Sequence, residues 1–267
     1  MLKVLITGAV GKMGLEAAKA IINSPDLQLV AAIAHKKNIG DDIGLLANSK
    51  IINVMVSNNF EQEIENTKPD IILDLTNAEY GYQYIMKSLE KGIKCVSGST
   101  GFSSQQLENM QNLCNETSQS LIIAPNFSIG AVLMMKFSQL SAKYFDNVEI
   151  IEMHHEKKKD SPSGTAVKTA EMIMKNNKKF NNNLPDETIE NIKGSRGGSF
   201  NNINIHSVRM PGFVATQEVL FGGLGQVLTI KHQTINREAY MPGLILTLKK
   251  VIETTGYIYG LENLLFQ

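Results

Sequence analysis

An excess of either charge is the first thing this chain lacks: its 26 basic residues equal its 26 acidic ones, for a formal net charge of +0. A general nucleic-acid binder carries a basic surplus, so no nucleic-acid partner is expected. Cysteine occurs only at Cys95 and Cys114, without a CxxC spacing. That argues against a zinc site and against a disulfide framework, and for thiols in a reducing compartment. No apolar run reaches the ~18 residues of a membrane helix, so no membrane span is expected. The opening stretch MLKVLITGAVGKMG has no basic n-region and no small-residue cleavage site. The expectation is a cytoplasmic protein without a signal peptide. Internal repeats are absent as well. One biased stretch, KNNKKFNNNLPDETIENIKG at 175–194, reads as a surface excursion.

What is present is an ordinary globular balance, 43% hydrophobic and 19% charged over 267 residues. That length suits one or two domains with a sizeable core. LKVLIT (2–7) is a short apolar run with the character of a buried strand. A glycine turn follows, then LEAAKAIINS with a helical pattern, then the strand-like LQLVAAIA at 27–34. The alternation continues through strands at 51–56, 70–76, 93–99 and 120–126, with helices between them. Such alternation predicts a doubly wound parallel sheet of the Rossmann type. After a helix at 129–145 the pattern changes. VEIIEMHH is a strand and GTAVKTAEMIMKNN a helix; three strands then come nearly in succession at 203–210, 216–223 and 226–234. Their closeness, with Gly222-Gly223 as a turn, predicts antiparallel pairing. The fold class is therefore α/β, with a second α+β domain built on a mixed sheet. A last helix from Asn236 contains Pro242, where it bends or begins again. If it packs back on the first domain, residues 1–128 plus 236–267 bind a dinucleotide, and 129–235 form the substrate and oligomerisation domain.

Gly8, Gly11 and Gly14 make GxxGxxG between the first strand and the first helix. The pattern alone is weak, and glycine there could simply satisfy φ > 0. Its strand-turn-helix context favours a pyrophosphate site at a helix N-terminus. At the end of the second strand an acid would hydrogen-bond the adenosine ribose. Ala34 stands in that place, followed by His35, Lys36 and Lys37. A cationic loop without a carboxylate suits a 2′-phosphate, so NADPH is expected in preference to NADH.

The densest chemistry lies in HHEKKKDSPSGTA at 154–166, which holds two of the five histidines. With the preceding EIIEM, it resembles the signature of the 4-hydroxy-tetrahydrodipicolinate reductase family, roughly E-x-H-H-x-x-K-x-D-x-P-S-G-T-A. GAVGKMG, SGSTGF (97–102), APNFSIG (124–130), IHSVRMPGFVATQEVLFGG (205–223) and the LTIKH and NREAYMPG stretches within 228–243 are similar to the family in register. The resemblance spans nearly the whole chain. It implies a Rossmann domain joined to a mixed α/β domain, usually in a homotetramer. It implies reduction by NADH or NADPH of the dihydropyridine dicarboxylate formed from (2S,4S)-4-hydroxy-2,3,4,5-tetrahydrodipicolinate, giving (S)-2,3,4,5-tetrahydrodipicolinate.

Carried over by motif, His154 resembles the acid/base residue and Lys158 the proton donor. His155 is similar to a substrate contact, and Gly164 and Thr165 to a carboxylate clamp. Gly8, Ala9, Val10, Gly11, Lys12 and Met13, then Gly98, Ser99 and Thr100, then Ala124, Pro125, Asn126 and Phe127, resemble cofactor loops. His35 and Lys36 join them through the phosphate argument.

Elementary chemistry agrees. Ser163 is placed to cap the next helix, leaving the amides of Gly164 and Thr165 at the positive end of its dipole. A carboxylate docks there. Hydride addition to a conjugated ring builds negative charge that a positioned acid must quench, and histidine titrates near neutrality. Adjacent strand residues face opposite ways, so His154 and His155 share a site only if the strand ends there. Lys157 and Lys159 read as surface residues, and His206, His232 and Arg237 as structural ones. A metal at His154, His155 and Glu156 is not expected, since their side chains diverge and no further ligand is evident. Two rival readings remain open, another two-domain dehydrogenase and a nucleotide-sensing module without catalysis.

Overall fold

The structure is a computed structural model that describes residues 1–175, 179–181 and 189–266. Of the 175–194 excursion, residues 176–178 and 182–188 lie outside the described residues. The chain forms two units, Met1–Ile129 with Tyr240–Gln267, and Gly130–Ala239.

The first unit begins β1 (Leu2–Thr7), α1 (Lys12–Ile22), β2 (Leu27–Ile33), α2 (Ile43–Leu46), β3 (Val56–Ser57) and α3 (Phe60–Thr67). It continues β4 (Ile71–Asp74), α4 (Ala78–Glu90), β5 (Lys94–Ser97), α5 (Ser104–Thr117) and β6 (Ser120–Ile123). The helices start where the sequence supplies caps. Asn59, Asn77 and Ser103 each accept a hydrogen bond from a first-turn amide, and Ser103 with Gln106 completes a capping box. The strands are buried on both faces: Val4, Leu5, Ile6, Ile71, Ile72 and Leu73 have no exposed surface. That is the signature of a sheet covered by helices on each side.

The second unit holds α6 (Ile129–Ser141), whose first residue belongs to the first unit, then β7 (Asn147–His154) and α7 (Gly164–Met174). β8 (Gly198–Phe200), β9 (Ile203–Arg209), β10 (Ala215–Gly223) and β11 (Gln226–Thr234) follow. The chain then returns to the first unit through a 3-10 turn, Arg237–Tyr240, and ends in α8 (Met241–Glu253), β12 (Gly256–Tyr259) and α9 (Leu261–Leu265).

In the first unit every strand pair is parallel, in the order β12-β6-β5-β4-β1-β2-β3. From β3 to β6 this is the 3-2-1-4-5-6 order of a dinucleotide-binding sheet, with its switch point between β1 and β4. In the second unit the order is β11-β10-β7-β9-β8, with β7–β9 parallel and the other pairs antiparallel. Val148, Ile150, Ile205, Val219 and Phe221 point to the face on which Ala166, Ala170 and Ile173 of α7 pack.

Several expectations need correction. The β10–β11 turn is Leu224-Gly225, not Gly222-Gly223, because Gly223 pairs with Gln226. Gly225 supplies the positive φ, +70°. Gly222 and Gly223 lie within β10, and a side chain at Gly223 would crowd the Phe145 ring. β9 and β10 are not neighbours, since β7 lies between them. The 51–56 strand shrinks to Val56–Ser57, with one isolated bridge from Met55 to Asp42. Of the two outcomes expected at Pro242, the helix begins again: the proline sits in the first turn of α8, where its missing N–H costs nothing.

Candidate functional site

In the first unit the loops that leave the carboxyl ends of β1, β2, β5 and β6 carry the residues expected to meet the cofactor. Gly8 has φ +73°, and a Cβ there would lie 2.5 Å from the Leu75 carbonyl oxygen. A Cβ on Gly14 would lie 2.2 Å from the Gly8 carbonyl oxygen. The turn can therefore close only with glycine at both positions, which brings the N-terminus of α1 down onto it. Gly11 and Lys12 are exposed at this helix start, and Gly11 provides no side-chain cap. The first turn of α1 is therefore left without a side-chain cap.

Asp74, at the end of β4, is fully buried. It accepts hydrogen bonds from Thr7 Oγ1 (3.0 Å), Thr76 Oγ1 (2.5 Å), Thr76 N (3.2 Å) and Ser97 Oγ (2.7 Å). This one carboxylate thus ties together the ends of β1, β4 and β5. Gly98 N donates to the Asp74 carbonyl oxygen, Ser99 N to Ser97 Oγ, and Ala124 N to the Ser97 carbonyl oxygen. Ser99 Oγ is buried without a hydrogen-bond partner, an orphaned polar atom that a bound ligand would satisfy. Asn126 Oδ1 accepts from Ser128 N, and α8 crosses this loop so closely that a Cβ on Gly243 would lie 2.0 Å from the Phe127 carbonyl oxygen.

Ala34 is buried and its amide donates to the Ser57 carbonyl oxygen, so its side chain offers nothing to a ribose. His35, Lys36 and Lys37 are exposed beside it, with the His35 ring 5.5 Å from that of Tyr80.

In the second unit the expected end of the strand is observed. β7 stops at His154, which is part-buried, while His155 is exposed. Lys158 is also part-buried, and Lys157 and Lys159 are exposed. Ser163 caps α7 by accepting from Ala166 N at 3.2 Å. The amides of Gly164 and Thr165, the first of the helix, have no intrahelical acceptor. A Cβ on Gly164 would meet nothing within 4 Å, so the space beside it is open. Gln217 Nε2 donates to Thr169 Oγ1, which donates to the Thr165 carbonyl oxygen, each at 2.7 Å. These bonds fasten the start of α7 to β10.

Motif reading gave no role to Glu152 and missed Arg209. Glu152 shares the inward face of β7 with Val148 and Ile150, and is itself fully buried. Its Oε2 meets His154 Nδ1 at 2.5 Å and accepts from Arg209 at 2.9 Å; its Oε1 accepts from Arg209 at 2.7 Å and from Ser163 N at 3.2 Å. Burial pushes the Glu152 carboxyl up, but hydrogen bonds from His154, Arg209 and Ser207 outweigh it and hold the group at about 2. A carboxylate at an inward position of an alternating strand was the signal available. The remaining histidines sit elsewhere. His206 pairs with Glu149 at 2.5 Å, and His232 packs over Gly130. Arg237 opens the 3-10 turn. Cys95 and Cys114 are buried and free, and burial raises both thiols. Among the described residues no group of three or more His, Cys, Asp or Glu is placed to hold a metal ion, and no helix is long and apolar enough to cross a membrane.

Comparison with known proteins decides between the open readings. Residues 2–127 match the family model for the dihydrodipicolinate reductase N-terminus, and 130–265 match the model for its C-terminus. The chain belongs to the dihydrodipicolinate reductase family. It is 44% identical to the 4-hydroxy-tetrahydrodipicolinate reductase of Bacillus cytotoxicus, covering 99% of this chain and 98% of the relative. It is 43% identical to that of Carboxydothermus hydrogenoformans over the full length of both. A solved structure described as dipicolinate-bound dihydrodipicolinate reductase from Paenisporosarcina sp. TG-14 superposes with a TM-score of 0.88 at 44% identity, covering 98% of this chain and 99% of that one. An amine dehydrogenase from Mycobacterium smegmatis, at 15% identity and a TM-score of 0.70, shares the fold alone. As a member of this family, the chain is an NAD(P)H-dependent oxidoreductase of the lysine and diaminopimelate pathway.

Proposed function

We propose that this reductase acts on the dihydropyridine dicarboxylate derived from (2S,4S)-4-hydroxy-2,3,4,5-tetrahydrodipicolinate and yields (S)-2,3,4,5-tetrahydrodipicolinate. The observation that carries this reading is the cluster at the end of β7. Free amides of Gly164 and Thr165 at a capped helix start share one short segment, 154–165, with His154, His155 and Lys158. A small dianion needs local cationic and N–H donors on a protein without net charge. The dipicolinate named for the Paenisporosarcina relative, a planar dicarboxylate, is of that class.

Gly164 and Thr165 would hold one carboxylate, and His155 would contact the other end of the ring. His154 and Lys158 would serve as acid/base residue and proton donor, one quenching the charge that develops on the ring. The first unit fits a dinucleotide: the Gly8–Met13 turn closes on glycine alone, the Ser99 hydroxyl lacks a partner, and the 98–100 and 124–127 loops lie at strand ends beyond the switch point. When bound, the dinucleotide supplies the hydride. His35 and Lys36, beside the apolar Ala34, favour NADPH over NADH.

The first unit thus takes the cofactor role, and the second the substrate and oligomerisation roles. A homotetramer in the cytoplasm completes the reading. Self-association is supported by the face of the mixed sheet opposite α7, where Val227 is 69% exposed and Ile151, Met153 and Leu220 are only part-buried.

The deciding experiment follows NADPH oxidation with freshly generated substrate, with light scattering on the same sample. Turnover by a species of four chains is expected. Cofactor oxidation only with other imines or keto acids would refute the substrate, and a monomer at full activity would refute the assembly.

A further inference from the structure

We infer that Glu152 is a positioning residue for the reaction: by accepting from His154 Nδ1, it fixes the imidazole tautomer and leaves Nε2 as the nitrogen that exchanges a proton with substrate. The inference rests on the reading of His154 as the acid/base residue.

The geometry leaves few alternatives. Glu152 projects from the strand two residues before His154 and is fully buried. The side chains of both residues lie on one face of β7, as the period of two requires. An ionised carboxylate has lone pairs only. Arg209 donates to both of its oxygens and Ser163 N to one, so the carboxylate is held ionised by donors on two other segments. His154 Nδ1 at 2.5 Å from Oε2 must then be the donor. The proton sits on Nδ1 in the neutral ring, and Nε2 carries the exchangeable one.

Arg209 is fixed in turn. It also donates to the carbonyl oxygens of Val208 and Asp160, both at 2.8 Å. The guanidinium offsets the carboxylate charge, so the cluster of Glu152, Arg209 and His154 is neutral before the imidazole takes a proton and carries one positive charge after it. Glu152 Oε1, which accepts from Arg209 Nη2, also accepts from Ser163 N, the amide of the residue that caps α7. One side chain therefore sets both the imidazole and the start of the helix proposed to hold the substrate carboxylate.

Glu152→Gln tests this. A glutamine can present its amide N–H to Nδ1, which selects the opposite tautomer, with Nε2 already protonated and unable to accept. A wrong tautomer in a comparable carboxylate-imidazole pair costs up to about 10⁴ in kcat. We expect a fall of about 10²-fold or more in kcat, with NADPH affinity unchanged. In a His154→Gln background the same substitution should change kcat by less than about threefold, because residues that act as a unit are not additive. An equal loss in both backgrounds would assign Glu152 a purely structural role and overturn the inference, as would normal kcat in Glu152→Gln. Normal kcat in His154→Gln would instead overturn the acid/base reading on which it rests. Should Glu152→Gln not fold, ¹⁵N spectra of histidine-labelled wild-type protein still decide. The His154 signals, identified by their loss in His154→Gln, should show a protonated Nδ1 and a bare Nε2 when the ring is neutral. The reverse pattern would overturn the inference.

Discussion

Both carboxylate oxygens of Asp160 accept hydrogen bonds from Lys158 Nζ, each at 2.8 Å. The lysine proposed as proton donor is thus held by a neighbour two residues away, and its ammonium lowers the Asp160 carboxyl below its ordinary value. Asp160 is largely exposed, so the pair contributes at most about 1 kcal/mol to stability. Asp160→Asn should leave the melting temperature within a few degrees of wild type. It should lower kcat about tenfold or more, because a freed lysine samples many rotamers. Thermal melts and steady-state rates on one preparation check both halves; unchanged kcat would show that the tether does not serve the reaction.

The open space at Gly164 separates folding from binding. An added methyl meets nothing there, and alanine favours a helix over glycine. Gly164→Ala should therefore fold at least as stably as wild type, yet raise the substrate KM, because the methyl occupies room a carboxylate needs. Thr165→Val should raise KM too, by removal of the hydroxyl. Loss of kcat with constant KM in both variants would argue against a ground-state clamp.

Acid should weaken the second unit through Glu152. The folded carboxyl is held at about 2, below its ordinary 4.5. A depressed folded value means that the stabilisation is fully present above about 4.5 and is lost as pH falls toward about 2. Urea unfolding at stepped pH should show stability falling across that window in wild type, and a shallower fall in Glu152→Gln. Identical slopes in the two proteins would place the acid-sensitive group elsewhere.

Cofactor choice should follow the 34–37 loop. A charge-assisted hydrogen bond contributes about 1.5–3 kcal/mol, less when exposed, and 1.4 kcal/mol is about tenfold. kcat/KM for NADPH should exceed that for NADH by about tenfold. Ala34→Asp with Lys36→Ala should flatten or reverse the ratio, and added salt should weaken NADPH more than NADH. A wild-type preference for NADH would show that the loop does not read the phosphate.

Much of the fold was legible because its signals are local. Strand, glycine turn and helix lie within 34 residues, and the serine caps at Ser103 and Ser163 act within one turn of chain. The sheet order of the second unit was not legible: β9 pairs with β7 across the intervening α7, and no residue of either strand announces its neighbour. Gly222-Gly223 drew attention away from Leu224-Gly225 because two glycines look like a turn, whereas the positive φ of this hairpin falls on Gly225. At the site, the motif supplied His154, His155, Lys158, Gly164 and Thr165 as one segment. Arg209 stayed hidden because it lies 57 residues from the Glu152 carboxylate it meets. Asp74 lay unremarked inside the strand read at 70–76, yet its carboxylate joins three strand ends.

The return of the chain to its first unit orders events on the ribosome. By the time Ala239 has been made, the second unit is complete, a single uninterrupted stretch able to fold on emergence. The first unit still lacks α8 and β12, so the 124–127 loop has no Gly243 against its backbone and β6 ends the sheet as a bare edge. The half that is translated first is finished last, and until β12 arrives β6 is an unpaired edge open to pairing with another chain.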